Sequence, residues 1–160
     1  MADYPMNIDY YLPHQAEHLG LIRIQASATG LSRVDFVADV GQPANPSGLT
    51  AKACAQLHAY FTHRLHQFDL PLDLDGTPFQ QQVWQALQAI PYGQTSHYAA
   101  LSAQIQRPKA QRAVGAANGK NPVSIIVPCH RIIGKSGQLT GYSGGLDVKA
   151  WLLQHEQGPK

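Results

Sequence analysis

The stretch Val123-Ser124-Ile125-Ile126-Val127-Pro128-Cys129-His130-Arg131 decides how the rest of this 160-residue chain is read. Residues 123–126 are an apolar run broken only by Ser124, and the run leads to a cysteine followed by a histidine and an arginine. A cysteine acts as a nucleophile through its thiolate, which needs a positive or proton-accepting neighbourhood. Free cysteine is also among the most buried residue types. On these residues alone, Cys129 is either a chemical centre or a core side chain.

Downstream, Ile132 and Ile133 continue the apolar run. Two glycine-rich loops follow, at 134–137 and 140–145; the second does not fit the P-loop pattern. Val148, Trp151, Leu152 and His155 repeat at helical spacing over 146–155. Glu156 then stands at the helix C-terminus, where the dipole disfavours an acid. A carboxylate there invites a partner such as His130.

Upstream, Thr77-Pro78 is a helix start, Thr as cap and Pro at the first position. Phe79, Val83, Leu87 and Ile90 carry that helix to a stop at Pro91-Tyr92-Gly93. Thr95 or Ser96 is expected to cap a second helix through Tyr98, Leu101 and Ile105, and Pro108 to open a third ending near Asn118-Gly119. Arg107, Lys109 and Arg112 cluster at the start of that third helix, whose small residues Ala110, Ala113 and Ala117 allow close approach. Two short helices with a basic second start have the pattern of a helix-turn-helix. Lys120-Asn121-Pro122 is a turn back into the apolar run.

The first 75 residues show no chemistry. Residues 1–9 read as a loose arm, 21–26 and 34–36 as a strand hairpin around Thr29-Gly30, and 41–48 as a loop. Thr50 is expected to cap a helix to Leu65 with Cys54, Leu57, Phe61 and Leu65 on its inner face, which makes Cys54 an inert core residue. Residues 68–75 read as an extended connection. His14, His18, His58, His63 and His66 are scattered and call for no metal.

Composition bounds the class. Hydrophobic residues make up 44% and charged residues 14%, with two cysteines, no transmembrane-length apolar run and no apparent signal peptide. A disulfide scaffold and a zinc cluster are excluded, and a cytoplasmic, reduced protein is expected. Residues 1–75 carry four Lys/Arg against eight Asp/Glu, whereas 76–160 carry eight against two. The basic half would steer an anion such as nucleic acid.

Asn121-Pro122-Val123, Pro128-Cys129-His130-Arg131, Tyr142-Ser143-Gly144-Gly145 and Trp151-Leu152-Leu153 with His155-Glu156 together resemble the O6-alkylguanine-DNA alkyltransferases. The resemblance covers roughly residues 77–156. It implies an α/β (α+β) fold: a small ribonuclease-H-like sheet domain over 1–75, then a mostly helical domain over 76–160 carrying the helix-turn-helix. It implies single-turnover transfer of an alkyl group from O6-alkylguanine, and from O4-alkylthymine, in double-stranded DNA to Cys129. His130 would take the thiol proton through a water and Glu156 would orient His130. Tyr98 would donate to the flipped base. Arg112 would fill the gap in the stack, with Lys109 and Arg107 beside it on DNA. Asn121 would hold the turn before the cysteine, and Val127, Tyr142 and Ser143 would line the base pocket. No metal or cofactor, no membrane and a monomeric state are expected. Two other classes compete: a cysteine hydrolase, which leaves the basic helix unexplained, and a DNA-binding module with a structural Cys129.

Overall fold

In β2 (Leu21–Ala26) every second side chain, Ile22, Ile24 and Ala26, is buried, the alternation of a strand with one covered face. It is the centre of a three-stranded antiparallel sheet, between β1 (Asn7–Tyr11) and β3 (Leu31–Val37). The structure, a computed structural model, describes residues 6–142 and 144–158. The chain divides into two compact units, Met1–Asp75 and Gly76–Lys160. In the first unit α1 (Gly48–Phe61) packs on β1 and β2 and buries Ala53, Leu57, Tyr60 and Phe61.

Several sequence expectations for this unit are corrected. The loose arm is, from Asn7, a paired strand; among its polar residues only Ile8 is buried, too few for a visible alternation. The cap of α1 is Ser47, whose side chain accepts from the Thr50 N–H while the Thr50 hydroxyl accepts from the Ser47 N–H, a reciprocal capping box. The helix ends at Phe61, four residues short of Leu65, because the chain turns over at His63 with φ 60°. Cys54 is half-buried, its thiol 3.9 Å from the Tyr10 carbonyl. Burial, and then Asp9, push that thiol up to about 12, so it stays protonated and unreactive.

The second unit begins with α2 (Pro78–Leu87), capped by Thr77 and Gln80 in a second capping box. Trp84, 1% exposed, donates its indole N–H to the Ala117 carbonyl at 2.8 Å, which ties α2 to α4 (Gln111–Gly119). Between them lies α3 (Tyr98–Gln104). Neither Thr95 nor Ser96 caps it. Ser96–His97 forms a short strand, β4, parallel to β5 (Ile132–Ile133), and the His97 Nδ1 accepts the Ala100 N–H as the cap. The turn from α3 to α4 is closed by Ser102 and Arg107, which exchange two hydrogen bonds around Gln106 at φ 62°. Helix α4 starts at Gln111, after Pro108, and has no side-chain cap. The last helix, α5, runs Leu146–His155. No helix among the described residues is long and apolar enough to cross a membrane.

A Cβ on Gly76 would lie 2.5 Å from the Trp84 ring. Gly76→Ala should lower stability by about 1–3 kcal/mol through overpacking, read as a fall in the urea midpoint. An unchanged midpoint would mean the ring can move aside.

Candidate active site

The apolar run before Cys129 is not a strand. It folds as successive turns, with the Val127 N–H bonded to the Val123 carbonyl at 3.0 Å and Ile125, 1% exposed, in the left-handed region at φ 73°. A buried β-branched residue there is strained. Asn121 supports the turn from inside: its Oδ1 accepts from the Val123 N–H at 3.0 Å and its Nδ2 donates to the Val127 carbonyl at 2.8 Å. Pro128, at φ −83° and ψ 63°, makes an inverse γ-turn in which the Cys129 N–H also donates to Val127 O, at 2.8 Å. Both acceptor directions of that carbonyl are therefore occupied.

Cys129, His130 and Arg131 form a 3-10 turn, and all three are buried. Glu156, at the end of α5, gathers the other two. Its Oε2 accepts from His130 Nε2 at 2.7 Å and from an Arg131 terminal nitrogen at 3.1 Å, and its Oε1 accepts from Arg131 Nε at 2.8 Å. Arg131 also donates to the Ile90 carbonyl at 2.7 Å. Burial alone would raise the Glu156 carboxyl, but the hydrogen bonds and charges of His130 and Arg131 hold it well below the usual carboxylate range. An ionised carboxylate only accepts, so the His130 proton sits on Nε2 and Nδ1 keeps a lone pair. That Nδ1 is buried and has no hydrogen-bond partner among the described residues. Burial lowers the His130 imidazole, against the pull of Glu156, and keeps it neutral.

Cys129 is 3% exposed. Burial pushes its thiol up; the Asn121 amide and the Lys149 ammonium pull the other way without prevailing. The resting sulfur is a protonated thiol beside a neutral base, not a standing thiolate. Tyr142 closes the other side, buried, with its phenol raised by burial and then by Cys129. Ser143 lies outside the described residues. Tyr98, the first residue of α3, bonds through its hydroxyl to Thr140 Oγ1, and its ring lies against Gly115 of α4.

The sequence-based site residues thus fall into two groups. Cys129, His130, Glu156, Asn121, Val127 and Tyr142 surround one buried point, with Tyr98 joined to the loop that carries Tyr142. Arg112, Lys109 and Arg107 are exposed at the start of α4 and the turn before it, with the Arg107 guanidinium 5.6 Å over the Phe79 ring. Sequence reasoning missed Arg131 as the second partner of Glu156, His97 as a cap, and Lys149. Lys149 shares a helical face with Val148, Leu152 and Glu156, so a charge interrupting that face was the available signal. Among the described residues no three of His, Cys, Asp and Glu are grouped to hold a metal ion.

A small sheet unit and a helix-turn-helix unit with a buried cysteine–histidine–glutamate site define a class of DNA-handling thiol proteins. The family model for the 6-O-methylguanine DNA methyltransferase DNA-binding domain matches residues 78–158. A methylated-DNA–protein-cysteine methyltransferase of Mycolicibacterium paratuberculosis is 48% identical over 145 residues, 87% of this chain and 87% of that protein. One from Salmonella typhimurium is 58% identical over 113 residues, which span 70% of this chain and 64% of the relative's length. The crystal structure of Mycobacterium tuberculosis OGT in complex with DNA aligns with a TM-score of 0.83 at 42% identity, over 94% of this chain and 92% of that one. The chain belongs to the 6-O-methylguanine DNA methyltransferase family.

Both His130 and Glu156 have lowered folded-state values. Such groups bind protons more readily in the unfolded chain, so stability is full above the unfolded values and is lost as pH falls through about 6.5 for histidine and then about 4.3 for glutamate. Urea midpoints should fall progressively from pH 7.5 to pH 4; a flat profile would contradict the buried neutral imidazole. Glu156→Gln removes the anion facing buried Arg131, and should cost about 3–5 kcal/mol by the same measurement at pH 7.5.

Proposed function

We propose that this protein repairs DNA by moving an alkyl group from O6-alkylguanine, and from O4-alkylthymine, onto Cys129 in a single turnover, the activity of a methylated-DNA–protein-cysteine methyltransferase (EC 2.1.1.63). The observation that carries this reading is the buried thiol next to an imidazole whose Nε2 is committed to Glu156 and whose Nδ1 is open.

The reaction is an in-line displacement. A sulfur electron pair forms the S–C bond as the C–O6 bond breaks, and the electron pair leaves with the guanine. The thiol proton passes through one water to His130 Nδ1, and Glu156 stabilises the imidazolium that results. Because burial disfavours a resting thiolate, proton removal is coupled to the arrival of the base. Guanine is a poor anionic leaving group, so a donor is needed where charge develops. Tyr98 has that role, its hydroxyl held by Thr140. The Cys129 carbonyl accepts a bond from the Ile132 N–H and retains a lone pair for the guanine amino group. The Val127 carbonyl, already engaged twice, contributes the pocket floor. Tyr142 walls the pocket, and Ser143 completes the pocket set.

O6 of a paired guanine faces the interior of the duplex, so the lesion must leave the stack at a cost of about a few kcal/mol. Arg112, exposed near the start of α4, enters the gap, and Lys109 and Arg107 meet the phosphates. Asn121 ties the segment after α4 to the cysteine turn. The product thioether has no easy hydrolytic exit, so each molecule acts once. The chemistry needs no metal or cofactor. The basic composition of residues 76–160 suits duplex DNA, and we read the protein as a cytoplasmic monomer whose 76–160 domain binds DNA and accepts the alkyl group.

Intact mass after incubation with duplex DNA containing O6-methylguanine should rise by one methyl group, and Cys129→Ser should abolish the gain. No gain in the unaltered protein would overturn the reading in favour of a plain DNA-binding module. Arg112→Ala should slow transfer from duplex DNA by about tenfold or more and leave transfer from the free modified base nearly unchanged. Equal loss on both would remove Arg112 from base extrusion.

A further inference from the structure

Lys149 is fully buried, 0% exposed, in the second turn of α5. Lysine is almost never fully buried unless paired. Among the described residues it forms no ion pair with a carboxylate: Glu156, which ends the same helix, is taken up by His130 and Arg131, and Asp147 is exposed. Its ammonium donates to two backbone carbonyls, those of Ile132 and of Thr140, the latter at 3.0 Å.

Both carbonyls belong to walls of the proposed pocket. Ile132 directly follows the Cys129–Arg131 turn and pairs, as part of β5, with Ser96 of β4, two residues before Tyr98. Thr140 holds the Tyr98 hydroxyl by its side chain and lies two residues before Tyr142. One cation therefore joins the segment leaving the nucleophile to the segment that holds the base-facing tyrosine. The ionisable groups that face it, Cys129 and His130, both come from the 3-10 turn. Two carbonyls do not neutralise an ammonium. A negative sulfur would.

The geometry points to Lys149 as a positioning residue for alkyl transfer, a buried cation that fixes the Tyr98–Thr140 wall against the cysteine turn and favours negative charge on the Cys129 sulfur. This rests on the alkyl-transfer reading. It separates Lys149 from the other basic residues of the domain, which lie on its surface and serve DNA, apart from Arg131, whose charge is matched by Glu156. It also explains how a thiol disfavoured as an anion by burial reaches the thiolate during the reaction: the charge it needs is already in place. Burial lowers the Lys149 ammonium from its ordinary range, and Cys129 opposes that shift, as expected for two groups that stabilise each other's charged forms.

The test is Lys149→Met, which keeps the stem and removes the charge. Transfer from O6-methylguanine duplex should slow by about tenfold or more, with the midpoint of its pH–rate profile raised by about one unit, and DNA affinity unchanged. The rate of Cys129 modification by iodoacetamide, located by peptide mass and measured without DNA, should shift to higher pH by the same amount. That arm stays informative if the alkyl-transfer reading fails, because it needs no substrate. Lys149→Ala should regain rate with added propylammonium. Slower transfer with unmoved midpoints and no rescue would reduce Lys149 to a structural tie and overturn the proposal, as would an unchanged rate. If neither variant folds, the nitrogen chemical shift of Lys149 Nζ in the unaltered protein decides: an ammonium at pH 7 supports the proposal, and a neutral amine overturns it.

Discussion

A single buried carboxylate, Glu156, receives hydrogen bonds from both His130 and Arg131, and the geometry of the site depends on that arrangement. A carboxylate out of water is costly unless its lone pairs are met. Here the imidazole and the guanidinium meet them from adjacent residues, so the 129–131 turn is oriented by two independent contacts to the end of α5. The second contact is extended by Arg131 to the Ile90 carbonyl, just past α2. The same carboxylate fixes the His130 tautomer and leaves Nδ1 as the basic atom. Structural support and proton acceptance are thus two consequences of one set of bonds.

Burial shapes the reactivity of the remaining groups. Cys129 is held as a thiol, His130 as a neutral base, and Tyr142 as a protonated phenol. A site with no standing charge on sulfur is protected from oxidation and from adventitious electrophiles, since the thiolate is the reactive form. For a protein proposed to use its nucleophile once, that restraint preserves the nucleophile until a base is bound. The strained backbone at Ile125 and the inverse γ-turn at Pro128 belong to the same economy of placement, because they lift the cysteine out of the apolar run on which it is seated.

Much of this was legible in the sequence where the signal is local. Thr77-Pro78 marked the start of α2, the Leu21–Ala26 alternation marked the central strand, and Pro128-Cys129-His130-Arg131 marked the site. Errors arose where a local cue was overridden by something distant. Ser96 looked like a helix cap, but its backbone is drawn into a ladder with Ile132, and the cap falls to His97. Residues 123–126 looked like one extended segment, but Asn121 folds them into turns. Thr50 looked like a cap and is the partner of one, three residues inside the helix.

The sequence by itself determined the helices, the central hairpin, the basic bias of residues 76–160, and the residue types gathered around Cys129. These follow from short-range periodicity, from turn chemistry and from composition, which a chain carries without folding. Only the tertiary structure decided which side chains share a partner. Arg131 beside Glu156, Lys149 beneath Ile132 and Thr140, and Thr140 against Tyr98 are contacts between residues 9 to 42 positions apart. No spacing rule reaches that far, and the protonation states of Cys129, His130 and Glu156 depend on those contacts and on loss of water. The role of the site is therefore written in the sequence as a set of residues, and becomes a mechanism only when burial and distant hydrogen bonds fix the charge on each one.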